Sequence, residues 1–210
     1  MSAHYMTRTM NLGGFIVAAG LTLTAGLSPS LAAEQLSSQD ILRALTPRVT
    51  RSLTISPADA ARRAEEKRFV NSLRDRPTRS LSTAEREQIA TIAQNRPKVD
   101  LEVNFEYNSD TIGPRATSQV TALGQALSNA DLKGGTFIVA GYTDAKGSET
   151  YNQGLSERRA DAVKRFLLEQ YGIEAGNLVT VGYGKTHLKN AAEPFSGENR
   201  RVQVVNATDK

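Results

Sequence analysis

Polar and apolar residues alternate along VDLEVNF, residues 99–105, and place Val99, Leu101, Val103 and Phe105 on one face. A repeat of two predicts a half-buried β-strand. Pro114 then opens a helix that the spacing of Val120, Leu123 and Leu127 carries to about Ala130. GGTFIVAGY, residues 134–142, is a second strand. Residues 149–171 form a second helix, ended by Gly172. NLVTVGYG, residues 177–184, and RRVQVVNA, residues 200–207, complete the pattern, the last with Val202 and Val204 facing one way. Strand, helix, strand, helix, strand, strand predicts an α/β fold: a βαβαββ two-layer sandwich, helices on one sheet, over residues 98–210.

The chain before this domain has a different texture. Ser38 is placed to cap a short helix through Leu45, which Pro47 stops. Ser56-Pro57 is a cap followed by proline at the first helical position. The helix it opens, PADAARRAEEKRFVNSL, is mostly polar and needs a partner or solvent around it. Ser82 and Glu85 form a capping box for a helix that ends before Pro97. TRSL occurs at 50–53 and again at 78–81, a short repeat for which chance or a shared turn role is the expected explanation. The predicted organisation is a mostly helical N-terminal extension, residues 34–97, acting as a solvated spacer.

Charge sharpens the division. Residues 34–97 hold 12 Lys+Arg and 8 Asp+Glu, whereas residues 98–210 hold 13 and 14. The basic character of the chain therefore sits in the spacer. Residues 12–27 carry no charge, follow Arg8, and precede small residues at Ser30 and Ala32. This is the layout of a cleavable signal peptide within residues 1–33, so an exported, periplasmic protein is expected. The chain has no cysteine, hence no disulfide and no thiol to carry a lipid anchor.

The second helix contains the candidate chemistry. At about 100° per residue, Asn152 and Arg159 lie about 20° and 40° from Val163, the centre of the apolar stripe, while Arg158 lies about 140° away. Arg159 is therefore expected to point inward, where a guanidinium needs a carboxylate or several carbonyls. Asp144 stands at the carboxyl end of the second strand, where ligands of α/β sheets collect. Two readings stand at this point: an internal Arg159–Asp144 salt bridge, or a site for a zwitterion whose ammonium meets Asp144 and whose carboxylate meets Arg159.

FEYNSDTI, GYTDAKGSETYNQGLSERRADAV, VTVGYGK and ENRRVQVV, in this order and spacing, resemble the OmpA-like C-terminal domain family over roughly residues 98–206. The resemblance implies non-covalent binding of peptidoglycan through the diaminopimelate of its stem peptide, linking cell wall to envelope. It implies Asp144 and Arg159 as the pair that takes the ligand's ammonium and carboxylate, Thr143 and Asn152 in support, and Asn108, Asn199 and Arg200 lining the pocket. The sequence departs from the family pattern at Tyr142, where histidine is frequent, and in GKTHLKNAAEPF, which replaces a proline-bearing loop. Neither a membrane barrel nor a lipid-bearing cysteine precedes the domain.

Other classes fit less well. GYGKT resembles part of a phosphate-binding loop, but Val179 stands where that motif requires glycine, so no nucleotide is expected. A peptidoglycan-processing enzyme is the catalytic alternative. After residue 33 the sequence has one histidine, His187, so neither a histidine triad nor a histidine-rich metal site can be built. No catalytic residue, metal or cofactor is expected. Nucleic acid is excluded by export and by arginines without interleaved aromatics. Anionic lipid heads, cell-wall acids or outer-membrane and other envelope proteins are the contacts expected of residues 34–97. Another envelope partner for the OmpA-like fold is the remaining alternative. Deleting the spacer is expected to leave stem-peptide affinity nearly unchanged.

Overall fold

A computed structural model describes residues 35–47, 56–103, 105 and 109–208 of the 210-residue chain. The expected signal peptide and Asn108 lie outside the described residues. The elements are α1 (Ser38–Leu45), α2 (Pro57–Ser72), α3 (Thr83–Gln94), β1 (Lys98–Leu101), α4 (Pro114–Leu127), β2 (Phe137–Gly141), α5 (Glu149–Tyr171), β3 (Leu178–Gly182) and β4 (Val202–Asn206). The βαβαββ order is the predicted one. The strands line up as β1-β4-β2-β3, with β2 and β3 parallel and β4 antiparallel to both its neighbours. The last strand thus enters the middle of the sheet.

The helix boundaries follow the caps. Ser82 and Glu85 bond reciprocally at the start of α3, and Ser56 caps α2 in front of Pro57. The cap of α1 is Ser37 rather than Ser38, because the Ser37 hydroxyl is the one that accepts from the Asp40 amide. Gly172 ends α5 in the left-handed conformation, φ 61°. β1 is shorter than its alternation predicts. Leu101 pairs with Val202, the first residue of β4, so the ladder stops there. Val103 and Phe105 continue through tight turns, and Val103 stays buried.

One sheet face packs as predicted. Leu101, Phe137, Val139, Leu178, Val202 and Val204 meet Val120, Leu123 and Leu127 of α4 and Val163 and Leu167 of α5, and α1 adds Ile41 and Leu45. The other face differs from the solvated-spacer expectation. Ile138, Ala140, Tyr142, Val179, Val181, Tyr183, Val205 and Ala207 are covered by Val70, Leu73, Leu81, Ile89, Ile92 and Ala93. The Thr78 hydroxyl donates to Asp161 of α5 at 2.6 Å, and the Tyr183 hydroxyl donates to the Arg86 carbonyl at 2.9 Å. Residues 57–65, the first turns of α2, are exposed on every side. The covering residues are few and split between a helix end, a turn and α3, so no single window shows an apolar stripe. The strands did carry a signal: FIVA in β2 is apolar at successive positions, as in a strand buried on both faces.

Candidate functional site

The site lies where β2 and β3 end and β4 begins. Gly141 and Gly182 face each other in register at those ends. α5 passes directly above: a side-chain carbon on Gly141 would overlap the Ser156 carbonyl, and one on Gly182 would meet Glu157 and the Ser156 hydroxyl. Only glycine lets the helix lie this close. Beyond Gly141 the chain is pinned by backbone bonds from Tyr142 to the Arg201 carbonyl, Thr143 to the Gly184 carbonyl and Ala145 to the Pro194 carbonyl, at 3.0, 2.8 and 2.9 Å. This fixes Asp144 just past the end of β2.

Among the described residues the Asp144 carboxylate has two partners. Its Oδ1 accepts from the Lys146 amide at 3.1 Å, the bond that shapes the turn before α5. Its Oδ2 accepts from Arg200 Nη1 at 2.8 Å. Asp144 is largely covered, with 15% of its side chain exposed, whereas Arg200 keeps 49% of its own.

Arg159 points inward, as the helical wheel predicts, and is only 6% exposed. Its Nε donates to the Ser109 carbonyl at 3.1 Å, and its guanidinium lies 4.9 Å from the centre of the Phe105 ring. Among the described residues no carboxylate lies within salt-bridge distance of it. The expected alternative, an internal Arg159–Asp144 bridge, does not form; Asp144 bridges Arg200 instead. Burial pushes the Arg159 pKa down from its ordinary value. The nearby Tyr151 hydroxyl opposes that shift, the charge of Arg200 adds to it, and Asp144 and Asp110 oppose it.

The supporting residues take scaffold roles. Thr143 is buried, and its hydroxyl donates to the Asp144 carbonyl at 3.0 Å. Asn152 is buried and donates to the Lys146 carbonyl at 2.9 Å, closing the turn. Asn199 is fully buried, and its amide nitrogen reaches the carbonyls of Asn190, Glu193 and Pro194 at 3.2, 3.0 and 3.3 Å. That side chain fixes the rim loop, residues 185–199, rather than facing the opening. Sequence reasoning missed Phe195, whose ring this loop holds 66% exposed, and Tyr151, 41% exposed in the first turn of α5. A lone aromatic in a loop gives no periodic signal, and the Ser109 carbonyl gives none at all.

Arg201, the neighbour of Arg200, turns to the opposite side. Its guanidinium lies 3.8 Å from the centre of the Tyr142 ring, Tyr142 stacks on Tyr183 at 5.1 Å, and His187 meets Tyr183 edge-on. Tyr142 is thus buried in a stack of rings, and desolvation pushes its hydroxyl up to about 12. GYGKT makes no phosphate loop. Lys185 Nζ donates to the Gly147 carbonyl at 2.9 Å, and no helix begins there.

Residues 104–201 match the OmpA family. Outer membrane porin F of Pseudomonas aeruginosa is 34% identical over 109 residues, 51% of this chain and 31% of that protein. Outer membrane protein A of Escherichia coli O157:H7 is 42% identical over 86 residues, 41% of this chain and 25% of that protein. The match thus spans about a quarter to a third of the length of these relatives. Among solved structures, the OmpA-like domain of FopA1 from Francisella tularensis is 26% identical with a TM-score of 0.44, covering 54% of this chain and 75% of that one. The cell wall anchor of the T6SS from Pseudomonas aeruginosa is 24% identical with a TM-score of 0.45, covering 54% and 82%. Residues 104–201 of this chain are an OmpA family domain.

Proposed function

We propose that this domain binds peptidoglycan without catalysis, in the periplasm, and so links the cell wall to the envelope. The ligand group is the side-chain end of diaminopimelate in the stem peptide, with its ammonium on Asp144 and its carboxylate on Arg159. One observation carries this reading: Arg159 is buried with a carbonyl and a ring for company, and no described carboxylate pairs with it. A buried cation left in that state is costly, and an incoming carboxylate relieves the cost. Asp144 lies close enough for its charge to be felt at Arg159, so the two present opposite signs to one ligand. The outer-membrane relatives support an envelope location.

Titrating the purified protein with a diaminopimelate-bearing stem peptide tests the clamp, beside Asp144→Ala and Arg159→Ala. Each substitution leaves one ligand charge unpaired and should cost about 2 kcal/mol or more of binding. Equal binding by all three proteins would move the ligand elsewhere. Absence of released product from isolated sacculi at high protein concentration is the expected result for a non-enzyme.

A further inference from the structure

Two guanidiniums stand near one acid at this site, and only one of them holds it. Arg159, buried, has the greater need of a counter-charge. Arg200, half exposed, is the one that holds Asp144. Arg200 is lightly tethered: Nη1 bonds Asp144 Oδ2 at 2.8 Å and reaches the Phe195 carbonyl at 3.5 Å. Its Nη2 lies over Gly197, where a side-chain carbon would crowd it at 3.3 Å.

From this we infer that Arg200 is a displaceable placeholder, an internal cation that occupies Asp144 until the ligand's ammonium replaces it. The inference rests on the clamp reading above. A zwitterion brings one charge of each sign, so one guanidinium must remain without a partner after binding. Leaving Arg159 alone would strand a buried charge. Leaving Arg200 alone strands a charge that water already reaches, and an exposed ion pair is weak enough to break at little cost. The exchange therefore moves the unpaired charge from the buried residue to the exposed one. In the empty state Arg200 keeps Asp144 in place and blocks monovalent amines that have no carboxylate to engage Arg159. Selection for the full zwitterion follows from the need to fill both positions at once.

The test compares the wild-type protein, Arg200→Gln, Asp144→Asn and the double variant by calorimetry. The probes are the stem peptide and the same peptide acetylated on the diaminopimelate amine. A placeholder predicts that Arg200→Gln tightens the native peptide about threefold to fivefold, since its competitor is gone. The gain should vanish with the acetylated peptide and in the Asp144→Asn background. Weaker binding by Arg200→Gln would show that Arg200 grips the ligand's carboxylate and would overturn the inference, as would unchanged binding. An equal gain with both peptides would reduce it to a general charge effect. No binding by the wild-type protein sinks the clamp itself, and the placeholder with it, which separates the two failures. Arg200→Lys guards against a folding artefact: it keeps the charge and should bind between wild type and Arg200→Gln.

Discussion

The two faces of the sheet are both buried, yet they are built in different ways. One is covered chiefly by helices that belong to the βαβαββ unit, each with its apolar stripe in a single window, Val120, Leu123 and Leu127 on α4 and Val163 and Leu167 on α5, with Ile41 and Leu45 of α1 added at the margin. The other is covered by residues donated from the preceding basic segment, a few from each of several pieces. Periodicity reveals a cover that is continuous in sequence. A cover assembled from fragments shows itself only in the strands that require it.

The largest effect that would break this comparison is removal of the second cover. Sequence patterning alone predicted that residues 34–97 could be deleted with stem-peptide affinity nearly unchanged. With Val70, Leu73, Leu81, Ile89 and Ile92 packed on the sheet, residues 98–210 alone should instead fail to unfold cooperatively and should lose dispersed amide resonances. Ile89→Ala, which removes one of these buried side chains, should cost about 2–4 kcal/mol by urea denaturation. A truncated domain as stable as the whole would return residues 34–97 to the status of a spacer.

Arg159 gives a prediction of opposite sign on the first face. Arg159→Met removes from α5 a buried cation that no described carboxylate pairs with, so stem-peptide binding should be lost. Folding stability should hold or rise by up to about 1 kcal/mol, because an apolar side chain of similar reach suits the site. A clear fall in the urea midpoint would mean that the bond to the Ser109 carbonyl is structural and that the first face depends on it.

The smallest effect concerns acid. Arg76 at 2.6 Å, helped by the Ser82 amide and hydroxyl, holds the Glu85 carboxyl down from its usual 4.5 to about 2. A carboxylate with a depressed folded pKa contributes stability that is whole above the unfolded value and disappears as pH falls from about 4.5 towards 2. This pair joins the connection after α2 to the start of α3, so the second cover should loosen first over that window. Glu85→Gln should flatten the pH dependence of stability there, measured on amides of α3 by hydrogen exchange. A slope unchanged from wild type would remove Glu85 from the acid response.

Every strand and helix of the domain was legible in the sequence, the helices and β1 from their repeats and β2 from its continuous apolar run, and so was their order; the placing of β4 in the middle of the sheet was not. The inward aim of Arg159 was legible for the same reason: 3.6 residues per turn fixes a direction regardless of what the side chain meets. What it meets was not legible. Ser109 offers a backbone carbonyl, which every residue has, and Asp144 had two arginines to choose between. The alternation that sends Arg200 and Arg201 to opposite sides was present in ENRRVQ, but a pair of adjacent cations does not declare which one finds the acid. Asn199 belongs to the rim of the family pattern, yet its amide is consumed by three carbonyls of a loop whose path no local rule predicts.

Gly141 and Gly182 set a dimension. Asp144 follows the end of β2 and Arg159 sits on the helix above, so in the proposed clamp the depth of the helix–sheet contact beneath Gly141 and Gly182 bears on the gap between them. Two missing methyl groups bring that contact down to backbone touching backbone. On the clamp proposed above, the length of ligand that bridges both ends would be gauged by atoms that are not there, and a lineage could retune the span by adding one carbon without altering either charged residue.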